Sequence, residues 1–393
     1  MALPYAIQRR DRPQRAGRWL PKDRLTYRVD GVHPPGACHH QKVLVIDDSI
    51  AFCGGSDFTR NRWDTPEHLP EDGRRRTADG RIYGPRHDVE LAVDGAAAAA
   101  LGELCRERWR RATGVQLEAV STPCDAWPDD LRPDLTDLPV GISRSEPADG
   151  SRPEIREAEA LHVRAIAAAR RWIYLESQYF TSPVIGDALA SRLAEPDGPE
   201  VVVICPARSG GPMDRLTMDH ARNHLIHRLE SADPYGRFRA FAPLAAGDAP
   251  ITIHSKVMVV DDRLLRVGSA NLNNRSLGLD TECDLAIEAG PGDRHTRRTI
   301  QELLDRLLVE HLAKPRGTLE TAMAQTGSLS ASIQALNPPS GRHLRAFDVP
   351  RPSWLDTLIG TSHLLDPIGV ADNWRPWRRR PTRQELAPRA VTR

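Results

Sequence analysis

The segment HQKVLVIDDSIAFCGGSDF at 40–58 returns as HSKVMVVDDRLLRVGSANL at 254–272, with His, Lys and an Asp-Asp pair in register and no gap. Asp57 then falls on Asn271. Farther on, DVELAV (88–93) matches ECDLAI (282–287), which pairs Asp88 with Glu282. Each copy ends on a helical pattern, AAAAALGELCRERWRRA and RRTIQELLDRLLVEHLA. Two similar supersecondary units in one chain constrain the fold more than any single motif, because what one unit forms the other is expected to form as well.

Each unit reads as strand, tight turn, strand, short loop, strand, helix. VLVI and VMVV are unbroken aliphatic runs, the pattern of strands buried on both faces. The twofold period of extended chain puts His40 and Lys42 on one face, and likewise His254 and Lys256. Upstream of the second motif, PVGISRSE, AEALHVRAIAAARR, WIYLES, VIGDALASRLAE and VVVICPA alternate strand with helix. That alternation predicts an α/β sandwich with a largely parallel sheet plus hairpins. Only residues 1–39 precede His40, so the first unit is expected to lack the opening strand–helix pairs of its twin, and the chain reads as truncated at its N-terminus. The expected organisation is a first unit over 1–120, a Pro- and Asp-containing linker over 121–137, a second domain over 138–317 and a tail over 318–393. Trp354, Trp374, Trp377 and the run RPWRRRPTR lie in that tail, which reads as surface-draped or poorly ordered rather than membrane-contacting.

The formal net charge is +1, so attraction to phosphate must be local rather than a global field. Lysine occurs only at 22, 42, 256 and 314; all other members of the 54 basic residues are arginine. Two of the four lysines therefore follow a repeated histidine by two positions, where a compact three-donor ammonium is wanted rather than a planar fork. Cys38, Cys53, Cys105, Cys124, Cys205 and Cys283 show no paired spacing. Cys53 and Cys205 sit in apolar runs, as buried free thiols do. No apolar stretch has the length of a membrane span, and the arginines of MALPYAIQRRDRPQR have no hydrophobic segment behind them. The expected location is cytoplasmic, with peripheral contact to a membrane allowed.

Splitting a phosphodiester needs a nucleophile, a proton for the departing alcohol and positive donors around the phosphoryl oxygens. Histidine supplies the first two near neutral pH. Of two histidines facing one phosphorus, one attacks and the other protonates the leaving oxygen, then deprotonates the incoming water or alcohol. Lys42 and Lys256 would hold the non-bridging oxygens, with Ser269, Asn271 and the matching Asp57 in the phosphate-binding set. Asp47 and Asp261 complete the two motifs and are grouped with the catalytic residues; the alternative is that each opens a hairpin and bonds its own turn. His39 points to the opposite face. Glu176, Gln178 and Tyr179 follow a strand and either line the site or pack. No metal-ligand spacing is present in the sequence, and no cofactor is expected.

The paired His-x-Lys-x4-Asp motifs, followed by GGSD in one copy and GSAN in the other, resemble the phospholipase D superfamily over roughly residues 25–315. FTRNRWD (58–64), IYLESQYF (173–180) and NLNNRSLGLDTE (271–282) extend the resemblance. It implies a pseudo-twofold pair of α/β domains with both histidines at their interface, a covalent phosphohistidine, no metal, and transfer to water or another alcohol. It also implies His40 as nucleophile and His254 as acid/base, the reverse remaining open, with Asp88 and Glu282 orienting the rings. The GGSD and RWD forms resemble the larger two-motif phospholipases more than the small symmetric nucleases. Few lysines and a near-neutral charge argue against a nucleic-acid groove. A phospholipid at a membrane surface is therefore the expected partner. Cardiolipin synthase-like transfer comes second, a nuclease third, and an inactive truncated homologue is the non-enzymatic alternative.

Overall fold

A computed structural model of the chain describes residues 25–120, 127–150, 152–349, 354–363 and 365–370; Cys124, Trp374, Trp377 and the arginine run lie outside the described residues. The first repeat supplies strands β1 (Val43–Ile46), β2 (Ile50–Gly54), β3 (Arg86–His87) and β4 (Glu90–Asp94), then helix α1 (Gly95–Thr113). There follow β5 (Gly141–Glu146), β6 (Ile155–Arg156), α2 (Glu157–Ala168), β7 (Trp172–Glu176), α3 (Pro183–Leu193), β8 (Glu200–Ile204), α4 (His220–Ser231) and β9 (Phe238–Leu244). The second repeat supplies β10 (Thr252–Ile253), β11 (Val257–Val260), β12 (Leu264–Gly268), α5 (Asn274–Gly278), β13 (Glu282–Glu288) and α6 (Arg294–Leu312). Beyond it come α7 (Thr318–Thr326), α8 (Leu329–Leu336), β14 (His343–Ala346) and α9 (Trp354–Thr361).

The large sheet has nine strands in the order β14-β9-β8-β7-β11-β12-β13-β5-β6. Side chains alternate across it, so Trp172 and Tyr174 of β7 join one apolar cluster with Ile300, Leu304, Leu308 and Leu312, while Ile173 and Leu175 join another with Ile185, Leu189, Ile226 and Leu229. The four α6 residues recur every fourth position and bury a single stripe of that helix. Both faces of the sheet are covered, which makes this a mixed α/β structure of three layers. The sheet is less parallel than expected. Among its described strands only β7–β8 and β8–β9 run parallel: a tight turn makes β11 and β12 an antiparallel hairpin, and β13 and β5 extend it antiparallel.

The first repeat forms its own three-stranded sheet, β1-β2-β4. Its inner face packs Ala51, Cys53 and Val93 on Ala98 and Leu101 of α1 and on Cys283 and Leu285 of β13. VMVV is buried throughout, as the sequence predicts, but VLVI is not: Leu44 and Ile46 are 36% and 42% exposed. The cause is coverage, since β11 lies mid-sheet between two helical layers while the outer face of β1 meets none. The loop between β2 and β3 is also long where a short one was expected. Two further differences concern the tail. Residues 318–346 are integral to the fold, with Leu319, Leu329, Ile333 and Leu344 in the core and β14 paired to β9. Asp366 is buried and accepts from Thr181 and from the backbone of Asn274 and Arg275. Short helices with sparse apolar residues leave little periodicity to read. All cysteines among the described residues are free thiols, Cys53 and Cys205 buried as expected. No helix among the described residues is long and apolar enough to cross a membrane.

Candidate active site

Each repeat docks its histidine on the other. The His40 amide donates to the carbonyl of Thr281, beside Glu282 (3.0 Å), and the His254 amide donates to the carbonyl of His87, beside Asp88 (2.9 Å). The side chains follow the same exchange. His40 Nδ1 lies 2.9 Å from both carboxylate oxygens of Glu282, and His254 Nδ1 lies 2.9 Å from Asp88 Oδ2. A carboxylate at Nδ1 holds the proton there and leaves the Nε2 lone pair of each ring free to act. The lysines repeat the local geometry as well: Lys42 donates to the His40 carbonyl at 2.7 Å, and Lys256 to the His254 carbonyl. Gly55 shows how closely the repeats meet, because a Cβ there would overlap Asp88 Oδ1 and the His254 carbonyl. The missing side chain is what admits Asp88.

The two halves are electrostatically unequal: Lys42 has Asp57 for a partner, where the second half has Asn271, and Lys256 is the more deeply buried lysine. Lys42 pairs with Asp57 at 3.3 Å, and Asp57 also accepts from Arg62 at 3.2 Å. Burial would raise the Asp57 carboxyl, but Lys42 and Arg62 overcome it and bring it down to about 2. Asp57 is thus an anion that offers no donor to a phosphate, which departs from the phosphate-binding role expected of it; what it holds is Lys42. Its counterpart Asn271 is buried, with Oδ1 unpartnered among the described residues. Ser269 is not turned toward a ligand either: its hydroxyl donates to Glu282 Oε2 and accepts from the Cys283 amide, so it fixes the carboxylate that fixes His40.

Lys256 makes no ion pair among the described residues. Burial pushes its ammonium down to about 7, with Asp88 pulling the other way less strongly. Burial and then Lys256 push His254 down to about 3, against the pull of Asp88. Burial therefore favours the neutral form of His254 and weakens the charge on Lys256 as pH rises through about 7. An oxyanion placed here favours the charged lysine and draws in a proton. Tungstate binding at pH 8 is expected to take up nearly one proton, measured by calorimetry in buffers of different ionisation enthalpy. The uptake fades below pH 6, where Lys256 is already charged, and is absent in Lys256→Met.

Asp47 and Asp261, grouped with the catalytic residues from the sequence, prove to be turn residues. Both adopt left-handed backbone, φ 51° and 53°, at the tips of the β1–β2 and β11–β12 hairpins. Each lies at the far end of a four-residue strand from its lysine, about 16 Å away along extended chain. The Asp261 carboxylate is already used, accepting from the amides of Arg170 (3.1 Å), Arg171 (2.8 Å) and Trp172 (3.0 Å) at the start of β7. His39 faces away, as expected, toward Thr281 Oγ1 and Asp30. Glu176 neither lines the site nor simply packs; it belongs to a buried charged cluster with His87 and His311 that sequence reasoning missed. Only the closeness of His87 to Asp88 hinted at it, since its partners come from distant segments.

A family model described as cardiolipin synthase, PLD-like domain, matches residues 162–306. Phospholipase D1 of Schizosaccharomyces pombe is 26% identical over 337 residues, covering 63% of this chain and 24% of the relative. Cardiolipin synthase A of Pseudomonas putida strain W619 is 28% identical over 247 residues, covering 63% of this chain and 43% of the relative. Over these residues the chain is similar to proteins of the phospholipase D superfamily. The chain spans about a quarter of the length of the phospholipases D it matches and under half of the cardiolipin synthases. Among solved structures, phosphatidylserine synthase from Haemophilus influenzae Rd KW20 aligns over 82% of this chain and 76% of its own, with 13% identity and a TM-score of 0.47.

Proposed function

We propose that this chain is a phosphodiesterase of the phospholipase D type that hydrolyses or transphosphatidylates phospholipids through a phosphohistidine. The observation that carries the reading is the crossed pair of histidine–carboxylate contacts, His40 with Glu282 and His254 with Asp88. Each ring keeps Nε2 free, one to attack phosphorus and the other to pass a proton to the leaving alcohol and later take one from the acceptor. The bound phosphodiester is itself an anion and favours charge on either ring, so the orientation of the substrate divides the two roles. Lys42 and Lys256 neutralise the non-bridging oxygens, and Asn271 adds a side-chain amide. His40 is the more exposed ring, 26% against 8% for His254, so the site opens to acceptor from that side.

The phospholipid substrate is supported by the names of the relatives, and transfer to alcohol by the chemistry of a covalent intermediate that water and alcohols compete to capture. Incubation with phosphatidylcholine vesicles and a few per cent ethanol is expected to divert product from phosphatidic acid to phosphatidylethanol. Transfer to phosphatidylglycerol, giving cardiolipin, would replace phospholipase with synthase as the preferred activity. Cleavage of single-stranded DNA without either lipid product would overturn the lipid reading.

A further inference from the structure

Behind His254 lies a cluster of charged groups that the reaction does not touch. Glu176, at the end of β7, accepts at Oε2 from His87 Nε2 (3.0 Å) and Ser255 Oγ (2.5 Å), and at Oε1 from Tyr174 Oη (2.5 Å) and His311 Nε2 (3.1 Å). His87 Nδ1 donates to Glu310 Oε1 at 2.8 Å, and the same oxygen lies 3.0 Å from His68 Nε2. His68 Nδ1 reaches Asp64 Oδ2 at 2.9 Å, and Asp64 also binds Arg75 and the Arg86 amide. His68, His87, Glu176 and His311 are all buried. Desolvating so many charges is expensive, and packing alone would be met by apolar residues of similar volume.

The arrangement closes a ring around the reacting histidine. The His254 amide is bonded to the His87 carbonyl, His87 Nε2 to Glu176, and Glu176 to the hydroxyl of Ser255, the residue after His254. Asp88, which holds His254 Nδ1, is the residue after His87. Among the described residues the other half lacks such a ring: Thr281 stands where His87 does in the repeat, and Glu282 is steadied by the hydroxyl of Ser269. Gly55 occupies the position equivalent to Ser269 and has no room for a side chain against Asp88. The first-repeat carboxylate is thus denied the serine its twin uses, and the charged ring replaces it.

We propose that His87, Glu176 and Glu310 are positioning residues that hold Asp88 and His254 in register across the junction of the two repeats. Burial disfavours charge on His87, but Glu176 and Glu310 outweigh it, so the ring is an imidazolium bridging two carboxylates. A metal ion held by His87, Glu176 and His311 is the competing assignment, since their ligand atoms lie within 4.8 Å of one another. Against it, both Glu176 oxygens already accept from two donors each.

The role rests on His254 being a reacting group, so the test has an arm that needs no turnover. In protein with 15N-labelled histidine, the Nδ1 protons of His40 and His254 give separate downfield resonances, each assigned by its His→Asn variant. Glu176→Gln and His87→Gln are expected to broaden or abolish the His254 signal and leave that of His40 in place. On a soluble chromogenic phosphodiester, kcat is expected to fall roughly 10- to 100-fold with KM within about twofold, the scale of a displaced reacting group. Glu310→Gln keeps an acceptor for both imidazoles and serves if the inner variants do not fold. Parallel loss of both resonances would mean general loosening, and loss of neither with wild-type kcat would mean no coupling. Stoichiometric zinc released by Glu176→Gln would mean a metal site. Any of these three overturns the proposal. Full activity in His254→Ala would instead sink the functional reading, whatever the resonances show.

Discussion

Replacing either His40 or His254 by Asn is expected to lower kcat by at least roughly 10⁴-fold, because members of one catalytic unit fail together rather than additively. The double variant should be hardly worse than either single one. Neither substitution should unfold the protein, since each ring sits at the junction of the repeats rather than in an apolar cluster. EDTA should leave the wild type unaffected, because the chemistry proposed here runs on two imidazoles. A variant that keeps more than a tenth of wild-type activity would remove that histidine from the mechanism.

The second large effect is on stability and separates two residues that look alike in sequence. Asp47→Asn and Asp261→Asn both preserve a residue tolerant of left-handed backbone, so turn strain is matched between them. Asp47 is exposed, and its substitution is expected to change unfolding free energy by no more than about 0.5 kcal/mol. Asp261 is buried and accepts three backbone amides. An amide side chain would turn an NH2 toward one of those donors and remove the charge from the others, at a cost of about 2–3 kcal/mol. Urea unfolding reads the difference directly. Activity per folded molecule should be unchanged in both, whereas a catalytic role for either aspartate would appear as lost kcat without lost stability.

Much of the site was legible because the repeat writes it twice. The histidines, lysines, Asp88 and Glu282 are short-range motif positions whose register survives comparison of the two copies, and the structure pairs each histidine with the acid of the other copy. What stayed hidden depends on segments far apart in sequence. The Asp261 carboxylate finds its partners at the start of β7, Ser269 turns inward to Glu282, and Glu176 meets His87 and His311 only after folding. The largely parallel sheet was over-read from strand–helix alternation, since the β11–β12 hairpin and the antiparallel strands β13, β5 and β6 beside it outnumber the two parallel pairings. VLVI and VMVV look equivalent as strings and differ in burial because coverage of a strand is a property of its neighbours, not of its residues. The tail residues to 346 were misread for a related reason: short helices that pack on an existing core carry little periodicity of their own.

The central claim is a covalent bond between phosphorus and one of two histidines. Wild-type protein mixed with a short-chain phosphatidylcholine, quenched with alkali within milliseconds and mapped by peptide mass spectrometry, tests it most directly. The account predicts a phosphatidyl adduct that is lost in acid, confined to the peptide carrying His40 or His254 and absent from the corresponding His→Asn variant. A phosphorylated Ser or Asp, or normal turnover with no adduct at any quench time while both histidine variants remain active, would contradict it.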